Sequence, residues 1–336
     1  VRSLVTGGAG FMGSHVVDSL IDSGQEVVVL DDLSGGFREN VNEKAELVEA
    51  SLEDEKLIDW LFHCHHFAYV YHLAAYAAEG LSHHIREFNY KNNLLNSIKL
   101  INAAIRYNCK CFVFTSSIAV YGFRQVPMTE DMIPKPEDPY GIAKYAVELD
   151  LEAANRVFGL PYIIFRPHNV FGVRQNIGDP YRNVVGIFMN QILQGLPCTI
   201  FGDGFQTRAF TPIENVASAI ARSVGYACAQ NQVFNIGADF PCSVNLLLRE
   251  IQEVMGKDTG VVHLPPRTEV RHAYSNHSKF KQLLGVLGNK VEIPRLEGLS
   301  KMAKWAGEVG ARRGKAFNHI EVSQGLPESW RRLSNA

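Results

Sequence analysis

Several things are scarce in this chain, and each scarcity removes a class of protein. Cysteine is one: six are scattered over 336 residues, at positions 64, 109, 111, 198, 228 and 242. They form no CxxC pair and no disulfide-framework spacing, so reduced thiols are expected. Net charge is another, at only −2. That excludes a general binder of the nucleic-acid backbone, whose affinity needs clustered Lys and Arg. No run approaches the roughly 20 apolar residues of a membrane span, so no membrane partner is expected. No repeat or low-complexity tract interrupts the chain. The first residues already read as a strand and not as a leader, and a cytoplasmic location is expected. Histidines cluster at His63-Cys64-His65-His66, with His83-His84 beyond. Adjacent ligands point in different directions on any regular element, and zinc spacing is lacking, so no metal is expected. What remains is ordinary for a globular protein, with 46% hydrophobic and 20% charged residues. The length suits one large α/β domain with a smaller companion.

Residues 2–6 (Arg-Ser-Leu-Val-Thr) read as a short buried strand, followed at once by Gly7-Gly8-Ala9-Gly10-Phe11-Met12-Gly13. A helix is expected from about Ser14 to Ser23, with Val16, Val17, Leu20 and Ile21 on one face. Glu26 to Leu30 is a second buried strand closing on Asp31-Asp32. Together they make a βαβ unit of about 30 residues with glycine at its first turn. Such glycines let backbone N–H groups approach a pyrophosphate at a helix N-terminus, where the dipole favours negative charge. Asp31 stands where a carboxylate accepts from the adenosine ribose hydroxyls and disfavours a 2′-phosphate, so NAD is expected over NADP.

The alternation continues. Glu46 to Ala50, Ala68 to Ala74 and Cys111 to Ser116 read as strands; Glu53 to Phe62 and Glu87 to Tyr107 read as helices. This rhythm predicts a doubly wound parallel sheet, whose ligands bind at the carboxyl ends of the strands. The loops after Leu73 and Thr115 then face the glycine turn. In Pro139-Tyr140-Gly141-Ile142-Ala143-Lys144 a helix starts at the proline, and Tyr140 and Lys144 share one face four residues apart. An ammonium near a phenol is expected to lower the phenol's pKa, making Tyr140 a candidate proton carrier near neutral pH. Ser117, in the loop Thr115-Ser116-Ser117-Ile118-Ala119-Val120-Tyr121-Gly122, supplies a hydroxyl beside the same crevice.

Three motifs together, TGGAGFMG, SSIAVYG and YGIAK, resemble the extended short-chain dehydrogenase/reductase family, specifically its NAD-dependent nucleotide-sugar epimerases and dehydratases. The resemblance reaches to about residue 285. It implies a Rossmann domain over 1–167 plus about 211–236, and a smaller nucleotide-sugar domain over 168–210 plus about 237–336. It also implies Ser117, Tyr140 and Lys144 as the catalytic set. Around NAD it implies Gly7, Gly10, Phe11, Met12, Gly13, Asp31, Asp32, Ser34, Leu73, Ala74, Ala75, Tyr140, Lys144 and Pro167. Asn93 takes the place of a supporting asparagine, and Asp54 matches an acidic residue near adenine, with Ser51 where a further acid is usual. The segment 166–172 is similar to the family's RxxNvyG signature, in which Asn169 holds the diphosphate. His168 is expected to pack near the nicotinamide and not to shuttle protons. Segment 200–210 is similar to GdGxqtRdf and brings Phe201, Gln206 and Arg208; Arg267 resembles a second arginine of the diphosphate clamp. Val185 and Arg182 complete the expected substrate contacts, Arg182 as a candidate partner for a uronate carboxylate. Residues 300–336 read as an amphipathic tail packing on the body.

Within the family, 4,6-dehydratases place Asp-Glu where this chain has Ile118 and Ala119, related decarboxylases a Glu at the second position, and GDP-mannose 3,5-epimerases a Cys there. With neither acid nor base at 118 and 119, the resemblance implies 4-epimerisation of a nucleotide sugar. A 4-keto reductase, or a non-catalytic NAD and nucleotide-sugar binder, is the alternative. UDP-glucose and UDP-glucuronate both fit, and His168 and Gln206 leave the base open. Family members pair through two helices per subunit, here about 87–107 and 142–158, so a homodimer is expected.

Overall fold

The computed structural model describes residues 1–123, 126–267, 269–287, 292–314 and 317–334. The first half alternates through β1 (Arg2–Thr6), α1 (Phe11–Asp22), β2 (Glu26–Asp31), β3 (Glu46–Glu49), α2 (Glu55–His65), β4 (Tyr69–His72), a one-turn α3 (Glu79–Ser82), α4 (Arg86–Tyr90), α5 (Asn96–Arg106), β5 (Cys111–Thr115), α6 (Pro139–Phe158) and β6 (Tyr162–Pro167). The second half holds β7 (Val170–Phe171), α7 (Val184–Gln194), β8 (Cys198–Phe201), β9 (Thr207–Arg208), β10 (Thr211–Pro212), α8 (Ala217–Arg222), β11 (Gln232–Ile236), β12 (Cys242–Ser243), α9 (Val244–Met255), β13 (Val261–Leu264), β14 (His272–Ala273), α10 (Ser278–Leu287), α11 (Arg295–Val309) and α12 (Glu328–Ser334).

Seven strands form one sheet in the order β11-β6-β5-β4-β1-β2-β3, and every pair is parallel. The strands are apolar on both faces because helices cover both. On one side α1, α8 and α10 bury Val16, Val17, Leu20, Ile220 and Phe280 against it. On the other, α2, α5 and α6 bury Ile58, Leu61, Leu100, Val147 and Leu151. Strand order reverses between β1 and β4, and a crevice opens there at the carboxyl ends. A separate apolar cluster, with Phe188, Met189, Leu247, Ile251, Leu299 and Met302, joins α7, α9 and α11 into a second lobe.

Three differences from the sequence reading have physical reasons. Helix α1 starts at Phe11, earlier than Ser14, because Gly13 must sit inside its first turn. A Cβ there would lie 2.0 Å from the Gly7 carbonyl oxygen. The single helix expected over 87–107 is α4 and α5 joined by a π-helical turn, Lys91–Leu95, whose extra residue turns Asn93 inward. The domain boundary expected near 237 is crossed by α10, where Phe280 packs edge-on against Phe165 of the sheet. The tail helix α11 begins at Arg295 and packs on the body through Leu299, Met302 and Ala306. The His63–His66 cluster lies at the end of α2, with His66 in the left-handed conformation (φ 49°). No three His, Cys, Asp or Glu side chains gather into a metal site among the described residues.

Candidate active site

A cavity of about 740 Å³ fills the crevice. Its first wall is the glycine turn. Gly7 has φ +71°, and a Cβ there would meet the Ala74 nitrogen at 2.7 Å. Gly10 caps α1 without a side-chain hydrogen bond, so the first N–H groups of the helix are left for a ligand. Asp31 is buried and holds this turn: its Oδ2 accepts from Ala9 N at 3.0 Å and its Oδ1 from Leu33 N at 2.9 Å. Burial raises its pKa, with those backbone bonds opposing. Each carboxylate oxygen has a second lone pair, so a ribose hydroxyl can still be accepted. A loop narrowed to backbone width, free helix N–H groups and an acid beyond β2 fit a dinucleotide pyrophosphate and ribose.

Phe11, Met12, Asp32, Ser34, Leu73, Ala74, Ala75 and Pro167 line the same cavity. Asp54 does not. Its carboxylate caps α2 by accepting from Leu57 N at 3.0 Å, and Ala50, Ser51 and Leu52 form the wall in its place. A helix start and a cofactor contact carry the same acidic signal in sequence, and here the cap took the residue. Asn93 is also off the wall, holding Tyr76 behind it. Its Oδ1 accepts from Tyr76 N at 2.9 Å and its Nδ2 donates to Tyr76 O at 3.1 Å.

Ser117, Tyr140 and Lys144 come together on the wall after β5. Asp138 starts the helix that carries the last two, its Oδ1 accepting from Gly141 N at 2.8 Å, and Pro139 occupies the first turn. Lys144 Nζ donates to the Thr115 carbonyl at 2.8 Å and lies 5.8 Å from the Tyr140 ring centre. Burial pushes the Tyr140 phenol up, and its hydrogen bond with Ser117 opposes that rise. This corrects the expectation of a lowered phenol: desolvation outweighs the neighbouring groups, an effect that residue spacing does not carry. Burial also pushes the Lys144 ammonium down to about 7, with the Glu148 carboxylate opposing.

Behind these residues a buried ion pair fixes the loop. Arg166 Nε donates to Glu148 Oε1 at 3.0 Å, its Nη1 to Tyr121 Oη at 2.7 Å, and Ser116 Oγ donates to Glu148. His168 lines the cavity but is turned away by its bonds, with Nδ1 2.9 Å from Ala209 O and Nε2 2.9 Å from His277 Nε2.

The far end is built from β9 and the loop after β13. Asn169 (φ +41°), Arg182 and Arg208 line the cavity there. Arg208 donates to the carbonyls of Thr207 and Arg271, each at 2.9 Å, and lies 3.8 Å from Glu269. Arg267 pairs with Glu269 at 3.0 Å and stacks over Phe201, 4.7 Å from the ring centre. Gln206 Nε2 donates to the Phe201 carbonyl at 3.0 Å. Arg267, Phe201 and Gln206 thus form a layer behind Arg208 and stay off the wall. Val185 is core, fully buried in α7. Arg182 Nε donates to Asp179 Oδ2 at 2.7 Å, and its guanidinium lies over Tyr76. The sequence reading missed Glu79 and Asp138, both on the wall. Asp138 announces itself as a helix cap next to Pro139; Glu79 carries no sequence signal.

Residues 3–237 match the sequence profile of the NAD dependent epimerase/dehydratase family. A UDP-glucose 4-epimerase of Mycolicibacterium smegmatis is 33% identical over 315 residues, covering 91% of this chain and 98% of that protein. The crystal structure of a Thermotoga maritima UDP-glucose 4-epimerase with UDP-glucose superposes with a TM-score of 0.85 at 38% identity, over 92% of this chain and 99% of that one. A Thermus thermophilus UDP-glucose 4-epimerase in complex with NAD gives 0.84 at 30% identity, over 91% and 98%. The glycine turn, the parallel sheet and the Ser-Tyr-Lys wall have a common explanation in these matches: the chain belongs to the NAD-dependent epimerase/dehydratase family.

Proposed function

We propose that this protein is an NAD-dependent 4-epimerase of a nucleotide sugar, acting through a transient 4-keto intermediate. The sheet half takes NAD, and the lobe of α7, α9 and α11 takes the sugar nucleotide. The observation that carries this reading is the pairing of Ser117 with Tyr140 beside the apolar Ile118 and Ala119, all four on the cavity wall. Proton exchange with a sugar hydroxyl is available there, and positions 118 and 119 carry no acid or base to eliminate water or deprotonate a carbon. The 4-epimerase relatives support the same choice.

NAD, when bound, would supply a reversible hydride acceptor. Tyr140 Oη would take the proton of the 4-hydroxyl while the hydrogen on C4 leaves as hydride, and would return that proton once the 4-keto sugar has turned over and C4 has regained its hydride. Ser117 Oγ holds that hydroxyl at both ends of the cycle. Burial holds the phenol high, so ionisation has to be favoured as the site fills. Lys144 is the residue placed to do this, with its ammonium on the same wall. Asn169 and Arg208, with Arg267 behind, hold the diphosphate, for which a planar guanidinium is suited.

A homodimer is part of this proposal. Leu95, Ile142 and Leu149 are exposed on the helices after β4 and β5, the faces such a pairing covers. Purified protein is expected to contain NAD and to interconvert UDP-glucose and UDP-galactose without added cofactor. Tyr140→Phe is expected to keep the NAD and lose about 10²–10⁴-fold in kcat. A requirement for stoichiometric NADH would instead identify a 4-keto reductase.

A further inference from the structure

One charged group on the cavity wall has no task in the chemistry above. Glu79 belongs to the single turn α3, and among the described residues its carboxylate has no hydrogen-bond or ion-pair partner. On one side the turn meets the start of the tyrosine helix. Ser82 Oγ donates to the Glu79 carbonyl at 2.6 Å and lies 3.5 Å from Asp138 Oδ1. On the other it meets the second arginine, since a Cβ on Gly80 would lie 4.0 Å from Arg267 Nη1. Glu79 therefore sits between the phenol that works on the sugar and the arginines that hold the diphosphate. The hexose is the piece that joins those two points.

We propose that Glu79 sets the substrate class, accepting hydrogen bonds from the hydroxyls of a neutral hexose and repelling the carboxylate of a hexuronate. The inference rests on the nucleotide-sugar reading and narrows it. A uronate would bring a further anion onto the wall that already carries Glu79 and Asp138, where like charges repel. Arg182, a cation on the same wall, has its charge partly answered by Asp179 through Nε. A neutral sugar instead offers hydroxyl donors that can replace the water on a carboxylate without a protein partner among the described residues. The groups facing Glu79 are Asp138, Tyr140 and His83 on one side and Arg208, Arg267 and Glu269 on the other. The side chain still reaches the solvent of the cavity; desolvation by the surrounding walls, then Asp138, pushes its carboxyl up to about 7, while the two arginines oppose. Discrimination is thus strongest above pH 7 and relaxes below it, because the uronate stays ionised while Glu79 takes up a proton.

Equilibrium competition on the NAD-loaded protein, with UDP-glucose and UDP-glucuronate as probes, tests this. At about pH 8.5 the parent is expected to favour UDP-glucose by at least about tenfold. Glu79→Gln, close in shape but uncharged, is expected to bring the two affinities within about threefold. At about pH 6 the parent's preference shrinks towards that of the variant, whose own ratio does not move with pH. A ratio unchanged by the substitution, or a parent that prefers the uronate, overturns the proposal. So does a parent ratio that stays constant between the two pH values, a test that needs no variant. Turnover is followed in parallel by NMR. A Glu79-dependent binding preference without epimerisation upholds this inference and removes the 4-epimerase reading. Binding of neither sugar nucleotide overturns both.

Discussion

Glu148 is nearly fully buried, yet it accepts from Ser116 and from two nitrogens of Arg166. A buried pair of this kind contributes little net stability against an apolar substitute, but breaking it strands the remaining charge. Glu148→Ala is expected to cost about 3–5 kcal/mol in urea unfolding, and Glu148→Leu with Arg166→Met to recover much of it. The effect should reach the active site, since Ser116 adjoins Ser117 and Glu148 holds up the charge of Lys144. Gly13 is the second sensitive residue. Its missing Cβ is what lets α1 close on the Gly7 carbonyl. Gly13→Ala is expected to yield protein depleted of NAD, read from the absorbance of released cofactor. The glycines, Tyr140 and Lys144 were legible because their chemistry is local in sequence. The direction of the phenol's shift was not, because it comes from burial by residues far along the chain.

Among the elements, the π-helical turn between α4 and α5 has a visible use. It places Asn93 where the side chain can hold both backbone groups of Tyr76. Tyr76 in turn carries the guanidinium of Arg182. Sequence periodicity announces a helix over this stretch but not the inserted residue, because an irregular turn leaves apolar spacing almost unchanged. Where helix α12 docks was illegible for another reason. Trp330 packs against Tyr181 and Phe201, contacts that depend on where the chain end returns. Helix α6 exposes Ile142 and Leu149, seven residues apart on one face. Under the proposed dimer, Leu149→Glu is expected to give monomer in sedimentation velocity where the parent gives dimer, while leaving far-ultraviolet circular dichroism intact.

The molecule as a whole should be sensitive to acid through His72. This imidazole is buried between Thr6 and Ser97, with Nδ1 2.7 Å from Thr6 Oγ1 and Nε2 2.8 Å from Ser97 Oγ. Burial, with help from the charge of Lys144, pushes its pKa down to about 3, against about 6.5 in an unfolded chain. Between those values the unfolded state binds a proton that the folded state refuses. The stability present above pH 6.5 is therefore lost as pH falls towards 3, by about 1.4 kcal/mol per pH unit from this group. Urea midpoints at about pH 7 and pH 5 should move closer together in His72→Gln than in the parent.

Glu269 joins the two arginines of the far end, 3.0 Å from Arg267 and 3.8 Å from Arg208. Under the assignment of those arginines to a diphosphate, the free protein carries its own competitor for them. Substrate arrival is then a displacement, and the same carboxylate is ready to reclaim the arginines when product leaves. Such an exchange lowers affinity and shortens residence together, because the competing carboxylate must be displaced on arrival and returns on departure. Glu269→Gln should bind UDP more tightly, release it more slowly in stopped-flow displacement, and turn over less often.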